Sequence, residues 1–294
     1  MSLVVQSVIN ALSLGGIYAL VTLGLAILFG VMRLINFAYG VLIAIGGYTL
    51  YLTTGAPWVA QAAIVILVTA IASVLMERVA FRPLKSDDAV TLLVTSFAIS
   101  WLIQSVLFVT VGSRPVGIPL PDFLSQSISL GGVNIPSVDI ATIIAALVSI
   151  AVVTFLLQRT VFGLRLRAAS EDKTMTQLLG IRPNMLTTSA FALSGALAGI
   201  ASLFYLARGA VVEPTAGQSI TLIAFVAIVI GGMGSLVGAA LGGLIIGVVE
   251  GVLSAVLPSG AAAFSDAIVF GVVIIVLLVR PTGLIAVRGN VERV

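Results

Sequence analysis

The run PTAGQSITLIAFVAIVIGGMGSLVGAALGGLIIGVV, Pro214 to Val249, holds 36 residues and not one charge. A helix crosses the hydrocarbon core of a bilayer with about 20 apolar residues, so this run is long enough for most of two crossings. The glycine-rich segment Gly231 to Gly238 falls near the boundary between them. Other charge-free runs cover 34–76, 89–113, 140–158, 183–207 and 267–279. Only 9 % of the 294 residues are charged and the mean hydropathy is +1.26. A water-soluble chain of this length would lack polar groups to cover its surface.

In lipid every backbone polar group must be bonded internally, which leaves a helical bundle or a closed barrel. Barrel strands alternate apolar and polar residues, and these runs do not. The expected fold is all-α: a polytopic transmembrane bundle of eight or nine spans, forming a single domain over 1–294. The spans are expected near 5–29, 36–54, 59–77, 90–111, 138–158, 186–206, 220–236, 239–257 and 265–280, with a broken or re-entrant helix near Gly30–Gly40 or Gly231–Gly238. No basic residue precedes Arg33, so the first apolar stretch reads as a retained span rather than a signal peptide.

Basic residues gather at Arg78, Arg82 and Lys85, at Arg159, Arg165, Arg167, Lys173 and Arg182, and at Arg280, Arg288 and Arg293. By the positive-inside rule these three segments are cytoplasmic, which puts the N-terminus outside and the C-terminus inside. The outer loop 112–137 contains SISLGGVNI, whose alternation about Gly131-Gly132 predicts a small hairpin.

Glycine spacing predicts close helix packing. Gly238 with Gly242, and Gly243, Gly247 and Gly251, recur every four residues on one helix face, which lets backbones approach. The segments 29–47 and 230–247 share glycine and apolar spacing, a weak internal repeat of the kind on which many transporters are built. Polar groups in spans are costly in lipid and tend to face an interior or a cavity. Asn36, Tyr39 and Glu250 are therefore candidates for a translocation path, Glu250 being the sole carboxylate well inside an expected span.

No histidine or cysteine occurs, which removes thiolate and imidazole chemistry, the usual soft metal ligands and any Ser-His couple. Gly217-Gln218-Ser219 has the Gly-x-Ser form of an intramembrane serine protease but no base to activate it. No catalytic or metal residue is expected. The two lysines, Lys85 and Lys173, follow Leu84 and Asp172, so neither sits in the G-x-x-x-x-G-K-[ST] loop that cradles ATP phosphates. Uphill transport driven by ATP would need a separate ATPase chain.

Phe162–Ile181, FGLRLRAASEDKTMTQLLGI, carries five of the 25 charges. Ser170 can cap a helix with Glu171 and Asp172 in its first turn, Gly180 can end it, and Pro183 forbids continuation. The result is a cytoplasmic helix of about nine residues, too short to span. Met175, Leu178 and Leu179 share one face, suited to a membrane surface or to a groove on a partner.

This segment also resembles the coupling loop of ABC importer membrane subunits, most closely those of the branched-chain amino acid (Liv-type) permeases, through Gly163, Arg165, Arg167, Ala168, Asp172, Leu179, Gly180 and Ile181. NALSLGGIYALVTLGLAILFGVMRLINFAYG is similar to the start of the H-type subunit, and VIGGMGSLVGAALGGLIIG to its later half. Where the family's INFAHG commonly has His, this chain has Tyr39, so no imidazole role carries over. The resemblance implies a permease subunit of an ATP-driven importer for branched-chain amino acids. It further implies a second related permease subunit, two cytoplasmic ATP-binding subunits that hold ATP-Mg, an extracytoplasmic substrate-binding protein, and the bacterial inner membrane. No cofactor is implied in this chain and no nucleic acid. Glu171 to Gly180, with Met175 and Leu178, would be the element that ATP-driven closure pushes on. The same machinery with urea, short amides or other amino acids as cargo, and a lone ion-coupled carrier, remain alternatives.

Overall fold

A computed structural model describes residues 2–32, 36–84, 88–130, 133–256, 265–280 and 283–284. Arg33, Lys85, Arg288 and Arg293 of the basic clusters, and Gly131-Gly132 of the hairpin turn, lie outside the described residues.

Nine apolar helices fall on the nine expected spans among the described residues. They are α1 (Ser2–Met32), α2 (Tyr39–Leu52), α3 (Trp58–Met76), α4 (Ala89–Val111), α6 (Ser137–Arg159), α9 (Pro183–Gly209), α10 (Gln218–Gly231), α11 (Leu236–Val256) and α12 (Ser265–Val279). Between them come a one-turn helix, α5 (Asp122–Ser125), and two polar helices, α7 (Val161–Glu171) and α8 (Lys173–Leu178). Beyond Met76, α3 continues into a widened π turn over Glu77–Phe81.

Among the described residues six helices are long and apolar enough to cross a bilayer: α1, α3 with its π turn, α4, α6, α9 and α11. The other three are shorter. Arg159, Arg165, Arg167, Arg182, Arg78 of the π turn and Arg82 just after it fall at one end of the bundle, here the basic face. The expected hairpin, β2 (Ser127–Leu130) against β3 (Val133–Pro136) with Leu130 opposite Val133, lies at the other end. So does β1 (Val116–Gly117), paired antiparallel with β4 (Val211–Val212), which ties the loop after α4 to the end of α9.

The core is built around α1, whose Ile17, Leu20, Leu23, Ile27 and Leu28 are fully buried. The glycine spacing has a physical counterpart. Gly243 lies on Ala19 and Thr22, Gly247 on Gly15, and Gly251 on Ala11, so α11 runs antiparallel along α1 at backbone contact. Gly238 and Gly242 close instead on Gly231 and Ala227, packing α11 against α10. Gly195 and Gly199 do the same for α9 against Thr69, Ser73 and Ile66 of α3. Lipid supplies no hydrophobic drive between helices, so this close approach, with its dispersion contacts, is what holds them together. In both segments of the weak repeat a break precedes a helix with buried glycines: Gly46 and Gly47 of α2 press on Ser202, Leu206 and Val212, as those of α11 press on α1 and α10.

Candidate functional site

Two regions carry the residues singled out by the sequence. One is the junction where α2 and α10 begin. The backbones of Gly40 and Gly217 touch, so that a Cβ at either would collide with the other. From Gln218, α10 runs 14 residues to Gly231, which packs on Gly238 at the start of α11. At 1.5 Å per residue its first turn therefore sits about 20 Å inside the basic face. From the same level α2 runs the opposite way, its Gly47 lying beside Val212 near the hairpin end. The two shorter helices thus start inside the bundle with their N-termini together, a form of the discontinuous helix found in transporters.

The start of α2 is held by local and tertiary bonds. Asn36 Oδ1 accepts the Ala38 N–H at 3.0 Å, and the Phe37 N–H donates to Ser96 Oγ at 3.2 Å. The Phe37 ring stacks on Phe97, centroids 4.4 Å apart, and meets Phe225 of α10. Tyr39 is fully buried; its hydroxyl sits against Gly24 and donates to the Ser194 carbonyl at 3.3 Å. Asn36 and Tyr39 therefore lie together in the packed core, Asn36 turning the chain and Tyr39 wedging between α1 and α9. Glu250 is elsewhere, on α11, where Oε2 accepts the Tyr18 hydroxyl at 2.6 Å. It is 14 residues along α11 and so also about 21 Å from the basic face.

At the start of α10 the structure gathers polar groups that a scan for charge passes over. Gln104 of α4 accepts a bond from Gln218 Nε2 at 2.8 Å, and Gln104 Nε2 donates to Ser100 Oγ at 3.1 Å. Ser219 is hydrogen-bonded to Tyr205 of α9, and both Glu250 and Glu213 lie close enough to Tyr205 to act on it electrostatically. The signal for Gln104 and Gln218 was their presence in charge-free runs; being neutral, they did not interrupt those runs.

Toward the hairpin end a cavity of about 360 Å³ is lined by Gln6, Ser7, Asn10, Asp139 and Ser254 together with Ile9, Ile135 and Pro136. Asp139 is buried and paired with Arg208 at 2.6 Å. The Ser13 hydroxyl donates to the same carboxylate oxygen at 2.7 Å, and Arg208 also reaches Asn10, so one cluster ties α1, α6 and α9. Glu77, at the margin of its expected span, is fully buried in the π turn and accepts the Thr188 hydroxyl of α9 at 2.9 Å.

The second region is the loop at the basic face. The cap falls two residues later than expected. Ser170 is in the last turn of α7, its hydroxyl on the Arg167 carbonyl. Asp172, extended at φ −144 and ψ 106, caps α8 by accepting the N–H groups of Thr174 at 2.8 Å and Met175 at 3.0 Å. The chain before Asp172 is already helical, so Ser170 lacks the extended backbone a cap needs. Helix α8 is consequently six residues rather than nine. Gly180 at φ +77 ends it: its N–H bonds the Gln177 carbonyl at 2.9 Å and the Ile181 N–H reaches Thr176 at 3.2 Å, a Schellman motif.

Helix α7 was not expected. Thr160 caps it, and Leu166 and Ala169 bury one face into the core. Gly163 sits against the Leu157 backbone at the corner between α6 and α7, where no Cβ fits. Arg165, Arg167, Glu171 and Asp172 are exposed and Ala168 is half-buried. Among the described side chains of α8 only Thr176 is turned inward, while Met175, Leu178 and the following Leu179 are 60 %, 77 % and 76 % exposed. Beside them a cleft of about 540 Å³ is lined by Phe162, Arg165, Leu179, Arg182, Met185 and Ser189.

Shorter helices that begin inside an apolar bundle, with a polar loop outside it, are an arrangement found in membrane transport proteins. The family described as "Branched-chain amino acid transport system / permease component" matches residues 7–278, and the chain belongs to it. The chain is 33 % identical to the high-affinity branched-chain amino acid transport system permease protein BraD of Pseudomonas aeruginosa, over 98 % of this chain and 97 % of that one. LivH of Salmonella typhimurium, with the same description, is 34 % identical over the same shares. The ribose import permease RbsC of Haemophilus influenzae is 30 % identical over 48 % of the chain. A solved ABC transporter assigned to the metal-chelate type, inward-facing, has the same fold with a TM-score of 0.51, covering 93 % of this chain and 87 % of its own at 17 % identity.

Proposed function

We propose that this chain is a membrane subunit of an ATP-driven importer that moves leucine, isoleucine and valine across the bacterial inner membrane. Its likeness to BraD and LivH over nearly its whole length carries the reading. The chain acts as one domain, with its N-terminus outside and the basic face cytoplasmic, in accord with the arginines at that face. A second, related permease subunit lies across the path, and an extracytoplasmic binding protein delivers the cargo at the hairpin face. Two cytoplasmic subunits bind and hydrolyse ATP-Mg, and this chain needs no cofactor of its own.

The exposed Met175, Leu178 and Leu179 are the contact with an ATP-binding subunit. Burying three such side chains in a partner groove contributes several kcal/mol, at about 1.5–3 kcal/mol each. The charged Arg165, Arg167, Glu171 and Asp172 flank that contact. Because α8 is joined to α9 through Gly180 and Ile181, a push on it is delivered to the base of α9. Asn36 and Tyr39 set the start of α2 beside the path, and Glu250 faces it.

Leucine uptake by vesicles holding the co-expressed subunits tests the reading. Replacing Met175, Leu178 and Leu179 by serine is expected to abolish both ATP-binding-subunit association and uptake; unchanged uptake sinks the coupling assignment. The partial likeness to RbsC favours one second reading, the same scaffold with another cargo. Ligand binding by the cognate binding protein decides between them.

A further inference from the structure

The polar groups at the start of α10 differ from the other polar side chains of the bundle in where they face. Thr22, Ser73, Thr69, Thr142 and Ser194 are buried, each bonded to a backbone carbonyl. Gln218 and Ser219 are exposed on the flank of the chain, yet they stand about 20 Å inside the basic face, where a bilayer is hydrocarbon. Gln218 spends one amide hydrogen on Gln104, which leaves the other, and Ser219 beside it, facing outward. An amide hydrogen turned to hydrocarbon without a partner is costly. Lipid is therefore the wrong neighbour for this patch.

We propose that Gln218, Ser219, Tyr205 and Glu250 line the aqueous route through the membrane and contact the charged ends of a passing α-amino acid. This rests on the transport reading above and names the residues of the route. The ligand class follows from the donors and acceptors gathered here. Glu250 and Glu213 are the acidic groups that act on Tyr205, and they suit an ammonium. The spare Gln218 hydrogen and the Ser219 N–H in the first turn of α10, where the Gln218 and Thr221 N–H groups already bond the Thr215 and Gly217 carbonyls, suit a carboxylate. The contact between Gly40 and Gly217 keeps this turn at its depth by seating the start of α10 on the start of α2. Ser254, one turn beyond Glu250 on α11, lines the cavity at the hairpin face together with Gln6, Asn10 and Asp139, so polar side chains are found along α11 from the route toward that opening.

The sequence contains no cysteine, so single cysteines can be placed without a background. Gln218→Cys and Ser219→Cys are compared with Val148→Cys, an exposed α6 position at similar depth, in vesicles carrying the assembled importer. The probe is methanethiosulfonate ethyltrimethylammonium, a fixed cation excluded from hydrocarbon. Modification at 218 and 219 is expected to be at least about tenfold faster than at 148, to slow when leucine and ATP are supplied, and to block leucine uptake. Equal rates at all three positions overturn the proposal. So does reactivity seen only when the second permease subunit is left out, which makes the patch a protein interface instead. Glu250→Gln can still accept the Tyr18 bond; it is expected to lower leucine uptake at least about tenfold at unchanged complex yield, and full uptake removes Glu250 from the route. An unmutated importer that takes up no leucine sinks the cargo reading alone, because the reactivity comparison does not depend on the cargo.

Discussion

The two regions that interrupt the long helices solve the same problem by opposite means. At the basic face, α8 starts and stops in water, and its ends are satisfied by neighbours in sequence: the Asp172 carboxylate at one end and the left-handed Gly180 at the other. At the internal junction, α2 and α10 start inside the bundle, and distant segments hold them: Gly40 against Gly217, Phe37 against Phe97, and the Tyr39 hydroxyl against Ser194. The local solution leaves an apolar face outward and free to bind. The tertiary solution leaves no room, so substitutions in the two places should differ in kind.

The largest expected effect is at the junction. Gly217→Val drives a side chain into the Gly40 backbone and is expected to cost about 3 kcal/mol or more, the upper range for overpacking. Loss of the monodisperse peak in detergent size-exclusion checks it; a well-folded variant would mean that the two helix starts separate easily. Next comes the buried pair. Arg208→Met leaves the Asp139 carboxylate buried with Ser13 alone and should cost about 3 kcal/mol, read as a lower unfolding midpoint. Adding Asp139→Leu is expected to return part of that loss.

Smaller effects belong to the loop. Gly180→Ala forces a Cβ into the left-handed region at φ +77 and should cost about 1–2 kcal/mol, visible as faster amide exchange over 173–179. Asp172→Ala removes two cap bonds at about 1 kcal/mol, seen in the same segment and not in α9. The smallest stability effect comes from Leu178→Ser, within about 0.5 kcal/mol because the side chain is already exposed. Its expected consequence is loss of ATP-binding-subunit association, so unfolding and pull-down measurements should diverge there and agree at Gly217.

Much of this was legible in the chain itself. The nine apolar helices, the hairpin and the glycine-lined helix faces follow from hydropathy and spacing, because lipid permits few solutions for a long apolar run. The short helix was legible to within two residues; it was misplaced because Ser170 and Asp172 are both good caps, and the choice depended on whether α7 was already helical. Helix α7 itself was missed because its buried side is only Gly163, Leu166 and Ala169. The Tyr205, Ser219 and Glu250 grouping was not legible, since these residues come from three helices and two of them carry no charge.

By itself the sequence determined that the chain lives in a bilayer, where its helices run, which glycines allow close packing and where a polar loop leaves the membrane. These depend on transfer free energies and backbone geometry, which are local properties. Only the tertiary structure decided that α2 and α10 start side by side within the bundle, that Asn36 and Tyr39 are packed in the core, and that Glu250 meets Tyr18. Those facts depend on which helix faces lie against one another, and contacts between residues hundreds of positions apart leave no trace in the periodicity of either segment.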